Sequence, residues 1–158
     1  DPKPRTEVAI AAPPIGRPGV AVYDITAGIV HMPNGEKLEA HSGLGAYMDD
    51  VRYVHVKMRG PTPPGTYRLT MRESLFHGVE AIRLTPTDGK KPFGRDGLLA
   101  HTYMLRKPGE SNGCVSFRDY ARFLAAFKRG EVKQMVVVPR LGNKSEPKVA
   151  SLFSWFGG

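Results

Sequence analysis

At 158 residues, with 41% hydrophobic and 9% aromatic residues, the chain has the size and apolar content of one globular domain with a buried core, which excludes a disordered protein. Lys and Arg number 23 against 15 Asp and Glu, a formal charge of +8 that favours anionic partners; the basic residues are scattered, with no RNP-type aromatic motif, zinc-finger spacing or basic helix, so no nucleic acid partner is expected. No apolar run approaches the ~20 residues of a membrane span, and the single cysteine rules out an internal disulfide framework.

Residues 1–19 carry Pro2, Pro4, Pro13, Pro14 and Pro18 with little periodicity, and read as an extended arm or linker remnant. With neither an initiator Met nor a signal peptide there, a mature, translocated or trimmed form is expected. Structure is expected to begin at Val20-Ala21-Val22-Tyr23. A second strand near residues 29–31 runs into the Pro33-Asn34-Gly35 turn and returns over residues 37–41, because Asn-Gly between apolar-containing strands is a hairpin signal. Val54, Val56 and Met58 alternate with His55, Lys57 and Arg59, the pattern of a strand with one buried face.

After Gly60-Pro61-Thr62-Pro63-Pro64-Gly65, the spacing of Tyr67, Leu69 and Met71 predicts another strand, and residues 81–84 a further one. Residues 85–97 hold Pro86, Gly89, Pro92, Gly94 and Gly97 and read as a long mobile loop of the kind that covers active sites. Lys90, Lys91 and Arg95 in that loop are expected to be solvated. Residues 98–105 form a buried strand that contains His101. Tyr120, Phe123, Leu124 and Phe127 fall at helical spacing and predict a helix over 118–129, capped by Ser116 and ended by Gly130. Residues 132–138 form a strand whose apolar run, Met135 to Val138, is expected at a central position. The fold class is mainly β (α+β): a single antiparallel β-sandwich or barrel-like domain over 20–141 with one principal helix. Leu152, Phe153, Trp155 and Phe156 make residues 142–158 an apolar tail.

Ser111-Asn112-Gly113-Cys114-Val115 places the lone thiol between a small turn residue and the expected helix. A cysteine attacks a carbonyl as thiolate, so its pKa must be lowered by a base or a positive environment. A helix N-terminus supplies partial positive charge, and the N–H groups of Gly113 and Cys114 are candidate donors to an oxyanion. His101 is the candidate base, and Ser111 either bonds the imidazole or fixes the turn. These parts add up to thiol acyl transfer. The blander reading is a small buried thiol, an ordinary Ser-Asn-Gly turn and a satisfied core histidine.

The Ser111–Val115 stretch, preceded by a strand histidine, resembles the Ser-x-Gly-Cys-[Ile/Val] signature of the YkuD-like L,D-transpeptidases. Thr62-Pro63-Pro64-Gly65-Thr66-Tyr67 resembles their Thr-Pro-x-Gly-x-[Tyr/Phe] segment. Val22-Tyr23 followed by a hairpin and Ser42-Gly43 resembles a compact branch of that superfamily, which includes type VI secretion effectors. The resemblance implies Cys114 as nucleophile, His101 as general base, and Ser111 and Gly113 shaping the turn and oxyanion site. It implies peptidoglycan stem peptides as substrate, cut or exchanged between the L-centre of a diamino acid and a terminal D-amino acid. It implies no metal and no organic cofactor, action in the bacterial periplasm after secretion, and a cognate immunity protein as a partner.

Two positions depart from the family pattern. Thr102 stands where Gly commonly follows the histidine, and Ser116 where Arg commonly follows the cysteine by two residues. Arg118 is a candidate replacement for that Arg, with Asp119 as a competing partner. Asn112, Tyr103, Arg118 and His41 are the candidate substrate-binding residues, although His41 also reads as an exposed strand-end histidine and Tyr103 as a core aromatic. A monomer is expected. The competing functions are another thiol amidase or protease, and a non-catalytic wall-binding module.

Overall fold

Two-residue alternation of apolar and polar side chains builds most of the sheet. The computed structural model describes residues 2–6 and 14–142. Among them eight strands run β1 (Gly19–Asp24), β2 (Ile29–His31), β3 (Lys37–His41), β4 (Gly65–Met71), β5 (Ile82–Pro86), β6 (Leu99–Thr102), β7 (Val115–Phe117) and β8 (Val132–Val138). They close into a barrel in the order β1-β2-β3-β7-β6-β5-β4-β8, which leaves no sheet edge unpaired. The mainly β, single-helix class read from the sequence is therefore the observed one.

β4 shows the rule most clearly. Tyr67 and Leu69 are buried while Thr66, Arg68 and Thr70 face solvent. The inward side chains of the other strands join them in one core with Tyr23, Ala40, Ala100, Val115 and Phe117. The Asn34-Gly35 turn forms as expected, with Gly35 at φ 92, a conformation that only glycine adopts freely. From Met135 to Val138 β8 is apolar because both of its faces are covered there, whereas Lys133 at its start is exposed. Met135 and Val137 enter the main core, while Val136 and Val138 join Val20 and Val22 in a second cluster on the opposite face.

Two neighbouring pairs are parallel, β1 with β8 and β6 with β7. Parallel neighbours need a crossover of about a dozen residues. Between β6 and β7 that crossover is residues 103–114, so the Ser111–Cys114 turn is delivered back beside β6.

The helix α1 spans Tyr120–Lys128 and buries Tyr120, Phe123 and Ala126. It begins later than its spacing suggests, because the sheet claims the preceding residues: Ser116 pairs with His41, Phe117 pairs with Ala40, and the Arg118 N–H donates to the Glu39 carbonyl. Ser116 is thus a fully buried strand residue and not the helix cap; Asp119 holds that position. Gly130, at φ 79, follows the helix as expected.

The strand expected over Val54, Val56 and Met58 does not form. A 3-10 turn over Val51–Tyr53, started by Asp50 accepting from the Arg52 N–H, leads into successive turns closed by Val56 on Tyr53 and Gly60 on Val56. Val54 and Val56 are still buried, but Met58 lies at φ 65 and is exposed. Alternation alone does not separate a strand from a run of turns that buries every second residue. The apolar tail from residue 143 onward lies outside the described residues. At the other end, the Arg5 N–H donates to the Arg52 carbonyl at 2.9 Å, and the Arg5 guanidinium lies over the Phe93 ring.

Candidate active site

Register brings His101 beside the strand that Cys114 leads into. Val115 and Phe117 point into the core, so Ser116 between them points to the opposite side of the sheet, and Cys114 sits in the bend directly before β7. His101 on β6 is the Cα partner of Ser116 on β7, and His41 on β3 is its partner on the other side. His41, Ser116 and His101 therefore form one row across three strands. The Leu99 N–H donates to the Cys114 thiol.

The His101 tautomer is set by its neighbour. Its Nδ1 lies 2.6 Å from the Thr102 carbonyl oxygen, which can only accept, so Nδ1 carries the proton and Nε2 the free lone pair. Phe76 stacks on the imidazole with centroids 5.5 Å apart. Burial holds the His101 pKa below its usual value, and His77 adds to this. At neutral pH the imidazole is uncharged.

Cys114 departs from the expected setting. It precedes β7, not a helix, so no helix dipole acts on it. Burial pushes the thiol up to about 11, against the opposing effects of the Leu99 N–H and the Arg95 charge. The resting pair is a neutral thiol and a neutral imidazole, not an ion pair.

The turn that carries the thiol is held from three directions. Ser111 Oγ accepts from the N–H of Gly43 at 3.2 Å and of Gly113 at 3.3 Å, and donates to the Cys114 carbonyl at 2.5 Å. It fixes the turn rather than the imidazole. Thr62, fully buried, donates from Oγ1 to the Gly113 carbonyl at 2.6 Å, while its N–H donates to Ser42 Oγ at 3.0 Å. Ser42 is in turn bonded to the Tyr23 hydroxyl at 2.8 Å. The Thr-Pro, Ser-Gly and Ser-Asn-Gly-Cys segments are thus one hydrogen-bonded unit.

Arg95 is the residue the sequence reading missed. It was expected to be a solvated loop cation, yet it is 4% exposed. Its guanidinium donates to the carbonyls of Val54, Pro61, Gly60 and Asn112, which ties the 87–98 loop down rather than leaving it free. A Cβ on Gly113 would lie 2.3 Å from Arg95 Nη2, so Gly113, at φ 126, has to be glycine for both space and backbone. Nothing in the spacing of Phe93-Gly94-Arg95-Asp96-Gly97 marks one cation of a basic chain as buried.

The candidate substrate residues divide into two groups. His41, Tyr103 and Arg118 meet around Glu39: His41 Nε2 lies 2.8 Å from Glu39 Oε2, the Tyr103 hydroxyl donates to the same oxygen at 3.3 Å, and Arg118 Nη1 reaches Oε1 at 3.3 Å. His41 is not the exposed strand-end histidine expected of it. Its Nδ1 lies 2.5 Å from Asp49 Oδ2, and the two carboxylates raise its pKa to about 9. Arg118 engages Glu39, while Asp119 pairs with Arg122. Asn112 is exposed on the other side of the turn, its side chain donating to the Met58 carbonyl at 2.9 Å.

The model of one protein family, the Tlde1 domain, matches residues 36–141, more than half of the chain and all of the segments that meet at Cys114. Among curated proteins none matches the chain.

Proposed function

Because the chain belongs to the Tlde1 domain family, a type VI secretion effector family, we propose that it is an antibacterial effector with a peptidoglycan-directed cysteine acyl transferase activity. Cys114 attacks the amide between the L-centre of a diamino acid and the terminal D-amino acid of a stem peptide. His101 Nε2 takes the thiol proton as the bond forms and returns it to the departing amine. The acyl-enzyme then passes to water, as an L,D-carboxypeptidase, or to another amine, as an exchange or crosslinking enzyme. The observation that carries this reading is a thiol that leads into β7 and accepts from the Leu99 N–H of β6, the parallel neighbour that carries an imidazole with a free Nε2.

Since both groups rest neutral, proton transfer accompanies attack and no preformed thiolate is used. The Gly113 N–H is occupied by Ser111 Oγ, so the oxyanion falls to the Cys114 N–H. The effector acts in the periplasm of a rival cell, and its producer carries a cognate immunity protein. Incubation with purified tetrapeptide muropeptides tests the activity: tripeptide or exchanged product is expected from the wild type and none from C114A. Loss of toxicity on co-expression of a neighbouring candidate gene product tests the immunity partner.

One observation favours a second reading, a non-catalytic wall-binding module: burial lifts the Cys114 pKa to about 11. That module would bind sacculi equally well after Cys114 alkylation and would turn over no muropeptide.

A further inference from the structure

The guanidinium of Arg95 is buried, and among the described residues no carboxylate pairs with it. Four carbonyls receive its N–H groups, and the groups that act on its charge are Tyr67 and Cys114. The Tyr67 phenol donates to the Pro63 carbonyl at 2.6 Å, and burial raises its pKa, so it stays neutral. A buried cation costs several kcal/mol unless an opposite charge offsets it. Arginine does not relieve that cost by losing its proton. The one group against this cation that becomes an anion during the proposed reaction is the Cys114 thiol.

Position favours the same conclusion. Arg95 Nη2 bonds the Asn112 carbonyl at 3.2 Å and packs on Gly113, so the charge sits directly behind the turn that carries the thiol. The guanidinium is also clamped to the carbonyls of Gly60 and Pro61, next to Thr62, which holds the same turn from the other side. The charged and titratable groups around the pair are His101 on β6, Tyr67 on β4, His55, whose pKa the Arg95 charge helps to lower, and, at the outer end of the loop, Asp96 and Lys57, whose Nζ would lie 3.3 Å from a Cβ on Gly94.

We propose that Arg95 is a positioning residue of the Cys114 turn and supplies the fixed positive charge against which the thiolate forms. The proposal rests on the acyl-transfer reading for its role in turnover, but its electrostatic content concerns the thiol itself. A guanidinium held by a rigid set of carbonyls stabilises charge that develops beside it with no reorganisation at the moment of reaction. It explains how a thiol with no helix dipole and a high resting pKa is made reactive.

Cys114 is the chain's only cysteine, so alkylation by iodoacetamide reports on it alone. Rates are measured between pH 7 and 10 for wild type, R95Q and R95K, beside thermal melting. Loss of the charge raises the thiol pKa, and a shift of one unit means about tenfold slower alkylation at a given pH. R95Q is expected to show that slowing. R95K keeps the charge but loses the fork, and is expected to alkylate within about threefold of wild type while melting lower. A brace without electrostatic effect predicts the opposite sign for R95Q, because loosening the turn further exposes a half-buried thiol. Unchanged or faster alkylation of R95Q, or equal slowing of R95K, overturns the proposal. If R95Q does not fold, R95K decides: a retained rate supports the charge, and tenfold slowing contradicts it. Absence of muropeptide turnover in the wild type would instead fail the acyl-transfer reading and leave this comparison standing.

Discussion

Thr62 Oγ1 donates to the Gly113 carbonyl at 2.6 Å, joining two segments 51 residues apart in sequence. Both groups are buried, so neither finds water when the other is removed. Replacing Thr62 with Val keeps the shape and orphans the carbonyl, at a cost of about 1–3 kcal/mol. T62V is expected to melt lower and to lose about tenfold in kcat, because the thiol turn is no longer fixed; T62S is expected to recover most of both. Calorimetry beside muropeptide turnover reads the two effects.

Ser111 holds the same turn from within. Its hydroxyl accepts from two backbone N–H groups and donates to the Cys114 carbonyl. S111A strands those partners and is expected to destabilise by about 2 kcal/mol. A larger loss is expected in kcat than in KM, since the thiol and not the substrate is displaced. Steady-state kinetics of S111A against wild type checks the split.

His41 links stability to pH. Asp49 and Glu39 raise its folded pKa from the ordinary 6.5 to about 9. A raised pKa means that the folded state binds the proton more tightly, so the contribution is complete below about pH 6.5 and is lost as pH rises through about 9. Its size is about 1–2 kcal/mol after allowance for partial exposure of the three side chains. Denaturant titrations of wild type are expected to show stability falling between pH 6.5 and 9, with a flatter profile for H41Q.

The Cys114–His101 pair makes its own pH prediction. The imidazole titrates below 6.5, because burial disfavours its charged form. Activity is therefore expected to persist below pH 6.5 and to fall only as His101 protonates, while thiol alkylation in the absence of substrate rises steadily toward pH 11 without a neutral plateau. A plateau of fast alkylation between pH 5 and 8 would mean a preformed thiolate–imidazolium pair. The pH dependence of iodoacetamide labelling distinguishes the two.

Much of the fold was legible because it is local. β3 and β8 fall where alternation and apolar runs put them, and the Asn34-Gly35 turn forces the hairpin. The Ser111–Cys114 motif, His101 and the Thr62 segment were visible as types at a spacing. What the sequence did not reveal depends on long-range pairing. Ser116 and Phe117 read as the approach to a helix until β3 is laid beside them. Arg95 reads as one more surface cation until the loop folds under the turn. His41 reads as exposed until Asp49 and Glu39 close on it. These three depend on partners that residue spacing does not encode, whereas the strand expected over residues 54–58 failed because alternation also fits a run of turns.

The most direct measurement is intact-protein mass spectrometry of the wild type and C114A after brief incubation with a tetrapeptide muropeptide, with the released products analysed in parallel. The account predicts a transient adduct on the wild type of the mass of the stem peptide less its terminal D-amino acid, mapped to Cys114, together with tripeptide or exchanged product, and neither with C114A. Product formed equally by C114A, or a wild type that forms neither adduct nor product, would contradict it.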